Sequence, residues 1–166
     1  MAHYLQTVAS LESGKGVARV ADIADRLGVS RSGVTSMLRS LAARGYVDHE
    51  RYGHVELTDA GRRLAERTES ARRLLSVFLA DVLGVPEATA EEDACMIEHL
   101  VSSEVMLELL RLTSFMRSGD PAASTFLAAF RHAPDACVHP PSGSCDLCGP
   151  TCLRDALVEE SDGSGG

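Results

Sequence analysis

Between Val20 and Gly45 the chain carries two apolar stripes at helical spacing on either side of a short, glycine-bearing break, and few folds accommodate that pattern. Ile23, Ala24 and Leu27 mark one face of a short helix, which Gly28 stops because glycine enters the left-handed backbone region without a steric penalty. Ser30 then suits the N-cap of a second helix, whose apolar face is Val34, Met37, Leu38 and Leu41 and whose end is Gly45. Two short helices joined this way form a helix-turn-helix. Ahead of them Tyr4, Leu5, Val8 and Leu11 recur at helical spacing up to Gly14-Lys15-Gly16. Behind them the segments 46–50 and 54–58 alternate in the β manner around Arg51-Tyr52-Gly53, which predicts a hairpin and makes the unit a winged helix.

The rest of the chain reads as helix followed by a compositional break. Thr58 or Asp59 caps a long helix bearing Leu64, Leu74, Leu75, Phe78, Leu79 and Val82, which Gly84 and Pro86 end. A second helical stretch covers roughly 90–116, broken near Ser102-Ser103, and a short helix covers 121–132. Aromatic residues make up 4% of the chain and Trp is absent, so the core is expected to be aliphatic. From residue 133 Pro, Gly, Ser and Cys take over, and such a segment orders only if something other than apolar burial holds it. The expectation is a mainly α protein: a winged helix-turn-helix over 1–68, a helical metal-binding and dimerisation domain over 69–132, a Cys-rich tail over 133–156 and a disordered end over 157–166. The apolar faces of 62–83 and 90–116 exceed what one small winged helix covers, which predicts a two-fold homodimer.

Charge narrows the function further. The 166 residues carry a net charge of −8, which argues against nucleic acid for the chain as a whole. Yet residues 1–68 hold ten Lys or Arg against eight Asp or Glu, and residues 69–166 hold six against sixteen. A phosphate backbone responds to the local field of the face it meets, so the front half keeps DNA as a partner. The residues expected to face the major groove are Ser30, Arg31, Ser32, Thr35, Ser36 and Arg39, with Arg51 at the wing tip. A solvated face, or a winged helix used for protein contact, is the alternative. No apolar run approaches the ~18 residues of a membrane span. The start Met1-Ala2-His3 lacks a basic segment followed by an apolar run, so the expected compartment is a reducing cytoplasm. No Ser/His/Asp set, phosphate-cradling glycine loop or HExxH motif points to an enzyme.

Val20-Ala21-Asp22-Ile23-Ala24-Asp25-Arg26-Leu27-Gly28-Val29-Ser30, then Gly45-Tyr46-Val47, Leu57-Thr58-Asp59-Ala60-Gly61-Arg62, Val82-Leu83-Gly84-Val85 and Glu92-Asp93-Ala94-Cys95-Met96-Ile97-Glu98-His99 together resemble the diphtheria-toxin-repressor family of metal-dependent regulators. The resemblance covers about residues 3–112. It implies a homodimeric regulator, most often a repressor, that binds a palindromic operator in double-stranded DNA when loaded with metal.

Cys95, Glu98 and His99 stand at i, i+3 and i+4, a spacing that projects all three from one helical face. A thiol, a carboxylate and an imidazole there are either half of a divalent-metal site or a packed Cys beside a polar surface pair. The resemblance selects the metal and adds a ligand near the start of the first helix, where this chain has His3. Two His, one Glu and one Cys form a donor set of intermediate softness, so Fe(II) is favoured, with Zn, Co and Ni as other candidates. The family's second site falls on Arg72, Ser76 and Glu91. A fixed positive charge at Arg72 implies that this second site is absent, and a pairing of Arg72 with Glu91 is the expected substitute.

Cys137, Cys145, Cys148 and Cys152 follow a C-x7-C-x2-C-x3-C pattern. In a reducing compartment four thiols so close together hold zinc or an iron-sulfur cluster more readily than they form disulfides. The run Ser142–Cys148 with Cys152 resembles the cluster segment of FeoC-type winged-helix proteins, whose spacers differ. The main expectation is therefore a metal-dependent regulator of iron or transition-metal homeostasis genes. The alternative is an FeoC-like accessory protein of ferrous transport that uses its winged helix for protein contact.

Overall fold

The structure is a computed structural model that describes residues 1–49, 54–133, 148, 149 and 153. It contains α1 (Ala2–Lys15), β1 (Ala18–Arg19), α2 (Val20–Leu27), α3 (Arg31–Ala43), β2 (Val47–His49), β3 (His54–Leu57), α4 (Asp59–Val77), a π-helical turn (Phe78–Val82), α5 (Glu87–Ile97), α6 (Ser103–Met116) and α7 (Pro121–Arg131). One compact unit spans Met1–Leu127, and a second spans Ala128–Gly166, of which the end of α7 is the main described part.

The helix-turn-helix forms for the local reasons its sequence suggests. Gly28 ends α2 in the left-handed conformation (φ 65°), and the Ser30 hydroxyl accepts the Gly33 amide at 3.1 Å to start α3. Leu5, Val8, Ile23, Val34, Leu38, Leu41, Val47 and Val55 are fully or almost fully buried. One aliphatic core thus joins α1, α2, α3 and the sheet. Removing such a Leu or Val side chain from water contributes about 1.5–3 kcal/mol.

The sheet departs from the expected two-strand hairpin. A third strand, β1, pairs antiparallel with β3 (Ala18 opposite Val55), while β2 pairs with the other edge of β3 (Val47 opposite Leu57, His49 opposite Val55), giving the order β1-β3-β2. At two residues, β1 is too short for alternation to signal it. It forms because β3 offers a free edge to the segment between α1 and α2.

A polar node fastens the wing to α4. The Thr58 hydroxyl accepts the Gly61 amide at 3.1 Å and donates to the Gly45 carbonyl at 2.6 Å, while the Thr58 amide donates to the Tyr46 carbonyl at 3.1 Å. Glu12 adds a second tie: Oε1 accepts the Leu57 amide at 2.7 Å, and Oε2 lies 3.0 Å from the Arg62 guanidinium. The last turn of α1 is thereby bonded to both β3 and the first turn of α4.

α4 runs unbroken across the expected boundary at residues 68–69 and continues as the π-helical turn, where the sequence reads as one α-helix to Gly84. Val82, Met116 and Ala123, flanked by Phe78 and Leu127, form a second small core. The break near Ser102-Ser103 is real: Ser102 caps α6 by accepting the Val105 amide at 3.3 Å. Outside these cores α6 leaves Val105, Leu107, Leu110 and Phe115 exposed. Among the described residues no helix is long and apolar enough to cross a membrane.

Gly61 carries a testable consequence of the polar node. A Cβ placed there would collide with the carbonyl group of Tyr46, a backbone atom that cannot turn aside. Gly61→Ala should destabilise the chain by about 1–3 kcal/mol or more, read as a lower midpoint in urea denaturation. An unchanged midpoint would show that the approach of α4 to Tyr46 is not fixed.

Candidate metal centre and nucleic-acid interface

α5 starts after Pro86 and places Cys95 in its last turn. Glu98 keeps helical dihedrals as the capping residue and bonds its amide to the Ala94 carbonyl at 3.0 Å, and His99 follows just beyond. The three residues thus occupy the end of a helix rather than its middle. Cys95 is half-buried, His99 is exposed, and Glu98 is only 6% exposed. His3 lies in the first turn of α1, a turn with no side-chain cap, and its Nε2 is 3.9 Å from the Cys95 sulfur. A tetrahedral ion bound to one thiolate and one imidazole would hold those atoms about 3.5 Å apart, from bond lengths of about 2.3 and 2.0 Å.

Glu98 is the most constrained group of this cluster. Both carboxylate oxygens are buried, and neither has a hydrogen-bond partner. Burial pushes its pKa up from the ordinary carboxylate value, and the nearby His3, Arg72 and His99 oppose that push. A buried polar group is normally paired, because the alternative is the full cost of its lost hydration. A group that offsets this burial has to carry positive charge or donate hydrogen bonds. Among the described residues, no three His, Cys, Asp or Glu side chains stand close enough together to hold a metal ion as placed. His3 and Cys95 are the pair already brought together.

The pairing expected between Arg72 and Glu91 is not made. Arg72 turns instead to Glu69, one turn back on its own helix, at 2.9–3.3 Å. An i, i+3 pair on one helix is held in reach by the backbone, whereas Glu91 would have to be met across helices. Glu69 is a residue that sequence reasoning missed, and its i, i+3 spacing to Arg72 was the signal. Glu12 was also missed, and no local pattern marks it, because its partners lie 45 and 50 residues away.

On α3 the polar face divides into two groups. The Ser30 hydroxyl caps the helix and also lies 3.1 Å from the Ser32 hydroxyl, and the Thr35 hydroxyl donates to the Arg31 carbonyl at 2.9 Å. Arg31, Ser32, Ser36 and Arg39 are exposed. Arg51 lies outside the described residues, as do Cys137, Cys145 and Cys152. Cys148 is a half-buried free thiol.

Comparison with known proteins matches two stretches of the chain to family models. The family model of the iron dependent repressor N-terminal DNA binding domain matches residues 1–55, and that of the iron dependent repressor metal binding and dimerisation domain matches residues 58–136. An uncharacterized HTH-type transcriptional regulator of Methanocaldococcus jannaschii is 36% identical over 98 residues, covering 59% of this chain and 76% of that protein. The HTH-type transcriptional regulator MntR of Oceanobacillus iheyensis is 32% identical over 120 residues, covering 72% and 81%. Among solved structures, IdeR of T. acidophilum superposes with a TM-score of 0.57 at 28% identity over 66% of this chain. A manganese-dependent transcriptional repressor in complex with manganese superposes at 0.61 with 33% identity over 69%. The chain spans about half the length of those two structures, 52% and 53%. These relatives speak for a regulator and not for an accessory protein of ferrous transport.

The unpaired Glu98 carboxylate makes a pH-dependent prediction. Its pKa is raised in the folded chain, so its charge opposes folding at neutral pH. That opposition vanishes as pH falls through the ordinary carboxylate range, where folded and unfolded chains are both protonated. With a chelator present, Glu98→Gln should be more stable than the parent near pH 7 by about 1 kcal/mol or more. The gap should close toward about pH 4, as followed by chemical denaturation. A parent chain more stable than Glu98→Gln at neutral pH would mean that the carboxylate has a partner after all.

Proposed function

We propose, from the premise that this chain belongs to the iron-dependent repressor family, that it is a metal-dependent repressor of iron or transition-metal homeostasis genes, acting as a homodimer on a palindromic operator. The family is one of transcriptional repressors rather than enzymes, and it binds divalent metals and DNA. The observation that carries the reading is the Glu98 carboxylate, buried without a partner beside the His3–Cys95 pair.

His3, Cys95, Glu98 and His99 would hold the ion. A divalent cation bound there supplies the positive charge and the directed contacts that the Glu98 oxygens lack. The nitrogen, sulfur and oxygen donors favour Fe(II), with Zn, Co and Ni also suited. His3 and Glu12 sit at opposite ends of α1, so order imposed on its first turn is felt where Glu12 grips β3 and Arg62. Residues around the centre thereby bear on the placement of α3 and the wing. If the metal-bound chain prefers the operator-competent arrangement about 100-fold, the shift is roughly 2.7 kcal/mol.

On α3, Arg31, Ser32, Ser36 and Arg39 are the exposed side chains that would meet DNA, Ser32 by exchanging its bond to Ser30, and Arg39 is suited to a phosphate. The exposed apolar residues of α6 support a two-fold contact with a second copy, since such patches on a monomer mark interaction surfaces. In the tail, the spacing of Cys137, Cys145, Cys148 and Cys152 supports an iron-sulfur cluster or a zinc ion as a separate group.

The test is duplex binding by anaerobic protein titrated with Fe(II), Mn(II), Co(II) and Zn(II), using operators selected from a random pool. Metal should strengthen binding by the parent chain, and His3→Ala and Cys95→Ala should each lose that response while keeping the parent's circular dichroism. Arg39→Ala should weaken binding to all duplexes alike and reduce the salt slope by about one. A His3→Ala chain that responds at the parent's metal concentration would remove His3 from the ligand set.

A further inference from the structure

β1 stops after two residues, and a side chain takes over where it stops. β1 sets Ala18 opposite Val55, so in the same register Gly16 would stand opposite Leu57. Gly16 is unavailable to a strand: it ends α1 in the left-handed conformation (φ 78°), with its amide bonded to the Glu12 carbonyl at 2.9 Å. The Glu12 carboxylate, on the same last turn of α1, accepts the Leu57 amide instead, at 2.7 Å. Leu57 is buried, so its amide without that acceptor would lose its hydration with nothing in return.

From Leu57 the bonds lead on to the DNA-reading helix. The next residue, Thr58, donates its amide to the Tyr46 carbonyl at 3.1 Å and its hydroxyl to the Gly45 carbonyl at 2.6 Å. The Gly45 and Tyr46 amides in turn reach the Ala42 and Leu41 carbonyls of α3 at 2.9 and 3.0 Å. A continuous line of directional bonds thus runs from the end of α1 through Leu57 and Thr58 to the end of α3. The apolar contacts of Leu5, Val8 and Leu11 in the shared core are non-directional and set no such register. Glu12 has a second partner in Arg62 at 3.0 Å, but the Arg62 side chain is 48% exposed, and ion pairs so exposed contribute little.

Resting on the proposal that metal orders the first turn of α1 through His3, we propose that Glu12 is the positioning residue that carries this order to α3, acting as the acceptor of the Leu57 amide rather than as the partner of Arg62. Without that bond α1 and α3 still share a core, but α3 no longer follows α1.

The test compares operator binding by the full chain in chelator and in saturating Co(II), with the Co(II) then raised further so that no variant is underloaded. The quantity read is the ratio of the two affinities, which a general weakening of DNA binding leaves unchanged. Where the parent gains about 100-fold, Glu12→Met, which cannot accept the amide, should gain about tenfold or less. Glu12→Gln keeps an acceptor oxygen and Arg62→Gln removes the ion pair alone, so both should hold the parent's ratio within about threefold. Glu12→Asp, one methylene too short, should fall with Glu12→Met and replaces it if that chain does not fold. The parent's ratio in a folded Glu12→Met or Glu12→Asp chain, or its loss in a folded Glu12→Gln chain, would overturn the inference and leave the metal centre standing. A parent chain with no response to Fe(II), Mn(II), Co(II) or Zn(II) would instead defeat the metal centre itself, and this inference with it.

Discussion

Burying a carboxylate without a hydrogen-bond partner is a cost that a folded chain carries only when something else offsets it. Glu98 is in that position, at the point where the end of α5 meets the start of α1 and the flank of α4. Its surroundings make sense as parts of one answer to that burial: His3 and His99 as positive or ligating groups, Cys95 as a soft donor within 3.9 Å of His3, and Arg72 as a fixed charge. None of the four completes a hydrogen bond to Glu98. A cation at the proposed site would supply what these contacts leave out.

α1 gives that dependence its reach. His3 occupies the first turn and Glu12 the last, about 13 Å apart at the helical rise per residue. At the far end Glu12 closes two bonds, one to the Leu57 amide in β3 and one to Arg62 in α4. Between these ends Leu5, Val8 and Leu11 are buried in the core that also holds α3. A change at the first turn would act on a helix that also packs against α2, β1, β3 and α4. Coupling of this kind needs no conformational relay beyond a helix and the groups at its two ends.

The polar face of α3 shows how one run of residues serves structure and recognition at once. Ser30 and Thr35 direct their hydroxyls into their own helix, which fixes where α3 begins. Arg31, Ser32, Ser36 and Arg39 remain exposed. Sequence alone presents all six as equivalent polar positions, because capping and exposure differ only once the backbone path is known.

The sequence by itself determined the helix-turn-helix, the cap at Ser30, the start of α4 at Thr58 or Asp59, the break near Ser102-Ser103, and the one-sided spacing of Cys95, Glu98 and His99. Each follows from dihedral preference or helical period within a few residues, so each is written locally. The tertiary structure decided what depends on distant chain. It drew β1 onto the edge of β3, turned the end of α4 into a π-helical stretch, and brought His3 to Cys95 across 92 residues. It also gave Arg72 to Glu69 instead of Glu91, tied Glu12 to the wing, and left the Glu98 oxygens without partners. These are choices among several chemically possible pairings, and only packing geometry, which fixes which side chains are within reach and which are shut off from water, selects among them.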